Sequence, residues 1–444
     1  MPTRRDLLRA AASAAPVIVP RHVLGGARYK SPNEKLDIVA VGFGGMGANY
    51  IAGCDTENIV GLCDVDHTFA AKTFQKYPNA RPWKDYREMF DKQGSFDAVI
   101  IGTPDHTHGP VAIAAMQLGK HVYCAKPMTR TVWEARELSR LAKENGLATQ
   151  MSVQSCGSDA SLTTVEWIKA GAVGRVREVH VWTDRPVWPQ FMARPPAQPV
   201  PESLDWKLWL GPAKPVPYNS IYHPFNWRGW VDFGTGALGD MACHAFHVVY
   251  QALDLTSPLA VQAQLPFVME PAPQATTWFK SRKLSFPDTY PAASIVTWDF
   301  PGGVRMHWYD GGLRPPRPAG LPADAKHGPD GLMFVGDNGT LLAGFSGGHH
   351  TLIGRNAKSF TPPPRTLPRT TEATDRESKG HYQEWVSACK GGKPARCEFG
   401  FASRITEAAL LGTIAQRTGA YLGWDSAGMR FANDAAANAL LRPA

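Results

Sequence analysis

The run Leu36-Asp37-Ile38-Val39-Ala40-Val41 empties directly into Gly42-Phe43-Gly44-Gly45-Met46-Gly47. Few folds tolerate a β-branched strand that stops in G-x-G-x-x-G. The first glycine permits a tight turn, the second lets backbone approach a pyrophosphate, and the third lets the next helix pack closely on the sheet. The start of that helix offers free N–H groups and a partial positive charge to phosphates. Alone the pattern is weak, because glycine-rich turns are common. The next apolar run decides it. Asn58 to Cys63 is followed by Asp64, 22 residues beyond Gly42, the spacing at which a carboxylate takes the hydroxyls of an adenosine ribose. An acid at that position repels a 2′-phosphate, which favours NAD over NADP.

The alternation of strand and helix continues. Phe96 to Gly102 predicts a third strand, opening into the loop Thr103-Pro104-Asp105-His106-Thr107-His108, and Pro110 to Leu118 predicts a helix stopped by Gly119. His121 to Cys124 predicts a fourth strand ending in Ala125-Lys126-Pro127. Thr131 to Asn145 reads as an amphipathic helix closed by Gly146, and Leu147 to Val153 as a further strand. A parallel sheet of about six strands carries its ligand loops at the strands' C-terminal ends. Both polar loops fall there.

Taken in order, GFGGMG, the Asp64 strand end, TPDHTH, AKPMT and the segment Gly236 to His244, which reads G-x-L-x-D-x-x-x-H, resemble the Gfo/Idh/MocA family of oxidoreductases over nearly the whole chain after its first segment. The resemblance implies an α/β chain: an N-terminal doubly wound Rossmann domain (34–153) and a C-terminal α+β domain (154–430) built on a large, open, mostly antiparallel sheet. It implies dehydrogenation at a CH–OH group of a sugar, glycoside or cyclitol, with tightly held NAD(P); joined to an export signal in the first segment, that predicts a cofactor recycled internally within each cycle. The implied cofactor contacts are Gly42, Phe43, Gly44, Gly45, Met46, Gly47, Asp64, Thr103, Pro104, His106, His108, Lys126 and Pro127. In the resembling pattern His244 takes the hydroxyl proton, Asp240 binds substrate hydroxyls and Lys126 hydrogen-bonds the reacting oxygen. One departure stands out. Where the family usually reads Glu-Lys-Pro this chain has Ala125-Lys126-Pro127, so the carboxylate expected to hold the nicotinamide-side ribose is missing. A water or a carboxylate from elsewhere would have to replace it.

The residue types agree with that chemistry. Oxidising an alcohol needs a base for the O–H proton, and histidine titrates near working pH. Asp240 and His244 stand four apart and share one helix face; a plain surface pair is the bland alternative. A metal site from Asp240, His244 and His247 is conceivable by ligand type, but nothing else in the sequence asks for a metal. Twelve of the 14 tryptophans lie beyond residue 153, crowding the stretch before Asp240. Flat rings suit sugar faces, so Trp227 joins Arg185 and Arg228 as expected substrate contacts, although most tryptophans are core. Tyr309 is a candidate second acid/base. The Pro-rich stretches 186–217 and 315–329 read as irregular loops.

Composition narrows the class. The formal charge is +8, of which the first 27 residues contribute +3 through Arg4, Arg5, Arg9 and Arg21 against Asp6. No basic block remains in the rest, so no nucleic-acid partner is expected. Thr3 to Arg9, followed by an Ala-rich stretch and Gly25-Gly26-Ala27, resembles a twin-arginine signal (1–27), which predicts export to the periplasm or beyond and no membrane insertion once it is removed. The seven cysteines show no C-x-x-C spacing, and Cys389 and Cys397 are the one pair a turn could bring together. A homo-oligomer is expected. Three functions remain open at this level: a sugar oxidoreductase; an NAD-dependent glycoside hydrolase working by oxidation, elimination, hydration and re-reduction; and a sugar sensor without turnover.

Overall fold

The computed structural model describes residues 34–270, 281–325, 327–355, 357–370 and 379–443. The signal-like segment lies outside them. The N-terminal half runs β1 (Asp37–Val41), α1 (Gly47–Gly53), β2 (Asn58–Cys63), α2 (Ala71–Lys76), β3 (Arg81–Trp83), α3 (Tyr86–Lys92), β4 (Ala98–Ile101), α4 (Asp105–Gln117), β5 (His121–Cys124), α5 (Val132–Asn145) and β6 (Thr149–Met151). Its strands pair in parallel in the order β3-β2-β1-β4-β5-β6. The chain reverses its direction of travel across the sheet between β1 and β4, which opens the crevice where dinucleotides bind. Three-residue β3 is the strand the hydropathy pattern does not reveal; its exposed Arg81 and Pro82 disguise it.

Local signals set several boundaries. Thr131 caps α5 through a full capping box: its hydroxyl accepts from the Glu134 N–H, and the Glu134 carboxylate accepts from the Thr131 N–H. Gly146 closes the helix in the left-handed conformation. Helix α4 corrects the sequence reading. It begins at Asp105, not Pro110, so the loop expected to carry His106 and His108 is its first turn.

The second half adds α6 (Asp159–Lys169), β7 (Val176–Trp182), α7 (Trp206–Leu210), α8 (Gly236–Leu253), β8 (Ala260–Gln264), β9 (Met269–Glu270), β10 (Arg282–Lys283), β11 (Ser294–Asp299), β12 (Arg305–Asp310), β13 (Gly331–Gly336), β14 (Gly339–Ala343), β15 (Thr351–Gly354), α9 (Gly380–Cys389), α10 (Phe399–Thr418), β16 (Tyr421–Asp425), β17 (Arg430–Phe431) and α11 (Ala435–Asn438). Nine strands form one sheet in the order β15-β14-β13-β7-β12-β11-β8-β16-β17, antiparallel except for β7 with β12. Helix α8 is buried at 16 of its 18 positions. It lies in one continuous apolar core that also holds Val41 and Val99 of the first sheet, Trp298 and Trp308 of the second, and Leu410 and Ile414 of α10.

The chain's end crosses back to the first half. Tyr382, Trp385, Val386 and Cys389 of α9 complete the apolar layer against Ile38 and Ile100, so the Rossmann core draws on residues far beyond 153. Arg136 of α5 grips Glu407 of α10 at 2.7 Å and the Ser426 carbonyl at 2.6 Å. All seven cysteines are free and buried. Cys389 and Cys397 lie in different apolar clusters and do not meet.

Candidate active site

A cavity of about 790 Å³ runs from the glycine turn to the N-terminal half of α8. At one end lie Gly42, Phe43, Gly44, Gly45 and Met46; at the other, Lys126, Asp240 and His244. Gly42 sits at φ +75°, where a side chain would be strained and its Cβ would lie 2.7 Å from Thr103. Asp64 accepts from the Phe43 N–H at 2.9 Å and from the Asp66 N–H at 3.0 Å, so it latches the turn. Each carboxylate oxygen keeps a second lone pair for a diol. Burial lifts the Asp64 carboxyl above its ordinary value, against the pull of those two N–H bonds.

The residues present suit a dinucleotide. A Cβ at Gly42 or Gly44 would crowd the turn, an acid stands at the ribose position, and Thr103 borders the cavity with a buried hydroxyl that has no partner among the described residues. Gly47 is not part of the lining. A Cβ there would lie 2.1 Å from the Gly42 carbonyl, so its absence lets α1 close on β1.

At the far end, Lys126 Nζ donates to the Asp240 carbonyl at 2.7 Å and to its Oδ1 at 2.6 Å, and Arg228 Nε donates to the same Oδ1 at 3.1 Å. Burial opposes the ionised form of Asp240, yet the Lys126 and Arg228 charges outweigh it and hold the carboxyl well below the usual carboxylate range. Two N–H groups of the Lys126 ammonium are spent on Asp240, which leaves a third for a ligand oxygen. The Arg228 guanidinium lies 4.2 Å from the centre of the Trp227 ring and 4.5 Å from that of Phe225. Trp227, Trp188 and Arg185 border this end. One turn of α8 beyond Asp240, His244 faces the same space, and its backbone carbonyl accepts from Ser346 Oγ at 2.8 Å.

Four of the expected site residues do not border the cavity: Gly47, His106, Pro127 and Tyr309. His106 is buried behind the cavity wall, its ring nitrogens 3.2 Å from the Phe233 carbonyl and 2.9 Å from that of Trp209. Pro127 also lies behind the wall. His108 does border the cavity, and its ring lies between the Pro127 and Thr103 carbonyls, 2.8 and 2.7 Å away, between the loops after β5 and β4. Burial pushes both imidazoles down to about 4, and a neutral ring carries one N–H, so each donates to one of its two carbonyls. Tyr309 is remote from the cavity. Successive residues of β12 point to opposite faces, so Met306 and Trp308 meet the helices while Tyr309 packs with Trp182, Met333 and Leu342 on the other face, 3.1 Å from His180 Nδ1. His247 also turns away, towards Ser155 and Gln251.

The structure brings in residues to which the sequence assigned no role. Asp105 borders the cavity as the first residue of α4. An acid in the polar loop expected after a sheet strand was the available signal. Phe69 and His223 also border it. They belong to a clasp in which the stretch 186–233 touches the loop after β2: Leu204 bridges Asp66, the Asp205 N–H donates to the Val65 carbonyl at 2.9 Å, and His223 Nε2 lies 3.1 Å from Asp66 Oδ2. Sequence spacing carries no trace of such a contact.

Comparison with known proteins places this geometry. Residues 36–153 match the Gfo/Idh/MocA model described as an oxidoreductase family with NAD-binding Rossmann fold, and residues 180–289 match that family's C-terminal alpha/beta domain. Levoglucosan dehydrogenase of Pseudarthrobacter phenanthrenivorans is 25% identical over 183 residues, 41% of this chain and 39% of its own length. The match therefore spans well under two thirds of that relative. Among solved structures, the WlbA dehydrogenase from Bordetella pertussis, in complex with NADH and UDP-GlcNAcA, superposes with a TM-score of 0.59 at 17% identity, covering 88% of this chain and 99% of that one. An inositol dehydrogenase homolog from Azotobacter vinelandii, complexed with NADH and myo-inositol, gives 0.56 at 16% identity, covering 88% and 98%. At such identities the structures establish the shared fold.

Proposed function

The chain belongs to the Gfo/Idh/MocA oxidoreductase family, and from that premise we propose that it moves a hydride between bound NAD and a hydroxyl-bearing carbon of a sugar, glycoside or cyclitol. The observation that carries the reading is the convergence of Lys126, Asp240 and His244 at one end of a cavity whose other end is the glycine turn and Asp64. NAD, when bound, supplies the acceptor for the hydride. The chain's own residues must hold the alcohol, take its proton and exclude water. His244 is the base for the hydroxyl proton. The remaining N–H of Lys126 holds the reacting oxygen and stabilises negative charge developing there. Asp240, kept ionised by Lys126 and Arg228, accepts from neighbouring hydroxyls. Trp227 and Trp188 offer flat apolar faces beside Arg185.

The clasp over the loop after β2 favours a cofactor that stays bound through the cycle. The twin-arginine-type segment agrees: an exported enzyme has no ready supply of soluble NAD. We therefore read the reaction as redox-neutral, the hydride returning within each cycle to a second sugar, to the same sugar, or to the product of an oxidation, elimination and hydration on a glycoside. The test uses purified protein with no added nucleotide. Denaturation should release NAD, and with excess sugar or glycoside from a panel, product should greatly exceed enzyme while free NADH stays near zero. Product halting at one equivalent per site, with turnover restored by added NAD, would leave an ordinary dehydrogenase. Release of NADP would overturn the role of Asp64.

A further inference from the structure

Asp105 is buried to 1% exposure at the start of α4. Its Oδ2 accepts from Thr235 Oγ1 at 2.6 Å, while Oδ1 has no hydrogen-bond partner among the described residues, although the residue borders the cavity. Two residues earlier Thr103 borders the same space, and its buried hydroxyl is likewise without a partner among the described residues. Leaving a buried polar atom without a partner is costly, and these two belong to residues of one strand-end loop that border the cavity, where a ligand's polar groups can dock.

Topology says which part of a ligand reaches them. With the adenosine ribose at Asp64 after β2 and the pyrophosphate at the turn after β1, the second half of a dinucleotide crosses to the neighbouring strands β4 and β5. At the end of β5, Ala125 offers only a methyl group. Asp240 stands further on, and its Oδ1 is committed to Lys126 and Arg228. Asp240 keeps its Oδ2 for substrate hydroxyls, and Asp105, four residues past β4, is a carboxyl earlier on that path whose Oδ1 has no partner among the described residues. Burial pushes it up to about 7; Asp240 adds to this, while Thr235, Arg228 and Lys126 oppose it. A donor from a ligand would favour its ionised, accepting form.

We propose that Asp105 accepts a hydrogen bond from a hydroxyl of the nicotinamide-side ribose and so positions the reacting end of the cofactor towards Lys126 and His244. The inference rests on the NAD reading above and names the residue that orients this half of it. Asp105→Ala and Thr235→Val, each in nucleotide-depleted full chain, are titrated with NAD, ADP-ribose and ADP. Asp105→Ala should weaken NAD and ADP-ribose about 10- to 100-fold, the loss of one charge-assisted bond, and leave ADP, which lacks that ribose, unchanged. Thr235→Val should bind all three as the wild type does. Unchanged ADP binding in the same preparations reports an intact fold. If Asp105→Ala does not fold, Asp105→Asn keeps the volume and the Thr235 contact, and the same selective loss is expected at smaller amplitude. Three results overturn the proposal: equal effects on all three nucleotides, a loss confined to NAD, or the same loss in Thr235→Val, which would make Asp105 a fastener for α8. A wild-type chain that binds no NAD would instead sink the NAD reading, independently of the variants.

Discussion

At the scale of single residues, the site works by making one carboxylate serve two cations. Asp240 holds Lys126 and Arg228 on the same oxygen, which fixes the ammonium and spares its third N–H. Lys126→Ala and His244→Ala are expected to slow single-turnover hydride transfer by ~10²–10⁴ while bound nucleotide is retained; near wild-type rates in either variant would remove that residue from the mechanism. Asp310 teaches the opposite lesson about carboxyls. It is buried, accepts from Ser294 Oγ and Trp308 Nε1, both at 2.9 Å, and burial outweighs these bonds and pushes it up to about 7. A carboxyl raised in the folded state binds more protons there than in the unfolded chain. Its stabilisation is therefore complete below about pH 4 and is lost as pH rises towards 7. Thermal melts of Asp310→Asn should show a shallower decline in midpoint between pH 5 and 8 than the wild type. Parallel declines would show that Asp310 does not titrate in that window.

At the scale of elements, the clearest contrast is between two neighbouring glycines. A Cβ at Gly47 would stand 2.1 Å from backbone, whereas one at Gly45 meets nothing within 4 Å. Gly47→Ala must push α1 off β1 and is expected to cost about 1–3 kcal/mol, read as a lower denaturant midpoint. Gly45→Ala should leave that midpoint unchanged. Helix α5 was legible end to end, because Thr131, Glu134 and Gly146 carry its start and stop within the segment itself. Helix α4 was not. Pro110 reads as a first-turn residue, yet it lies inside the helix. The preceding turn is held helical by the two buried histidines, whose rings bond carbonyls from β5's loop and from residues more than 100 positions away. Tertiary anchors there override the local cost of an internal proline.

At the scale of the whole molecule, the second half closes over the cofactor end of the first. His223 meets Asp66 at 3.1 Å and lies edge-on to Phe69, which itself covers Gly44. His223→Ala should speed release of bound nucleotide on the order of tenfold, the equivalent of one lost partly buried contact, followed by dilution into a nucleotide trap, with sugar KM unchanged. Equal release rates would show that the stretch 186–233 packs there without retaining anything. The continuous core through α8 and α10 means that the two halves share their apolar burial, so a boundary drawn at residue 153 separates motifs but not packing.

The glycine turn, Asp64 and the i, i+4 pair Asp240 and His244 could be read from the chain alone, because each depends on spacing within one short segment; Lys126 was singled out by the family resemblance of its strand end. The direction of each β12 side chain relative to the cavity, the withdrawal of His106 and Tyr309, the clasp on Asp66 and the spare oxygen of Asp105 could not. Each depends on which distant backbone or side chain arrives opposite, and only the close packing of the two sheets against shared helices decides that.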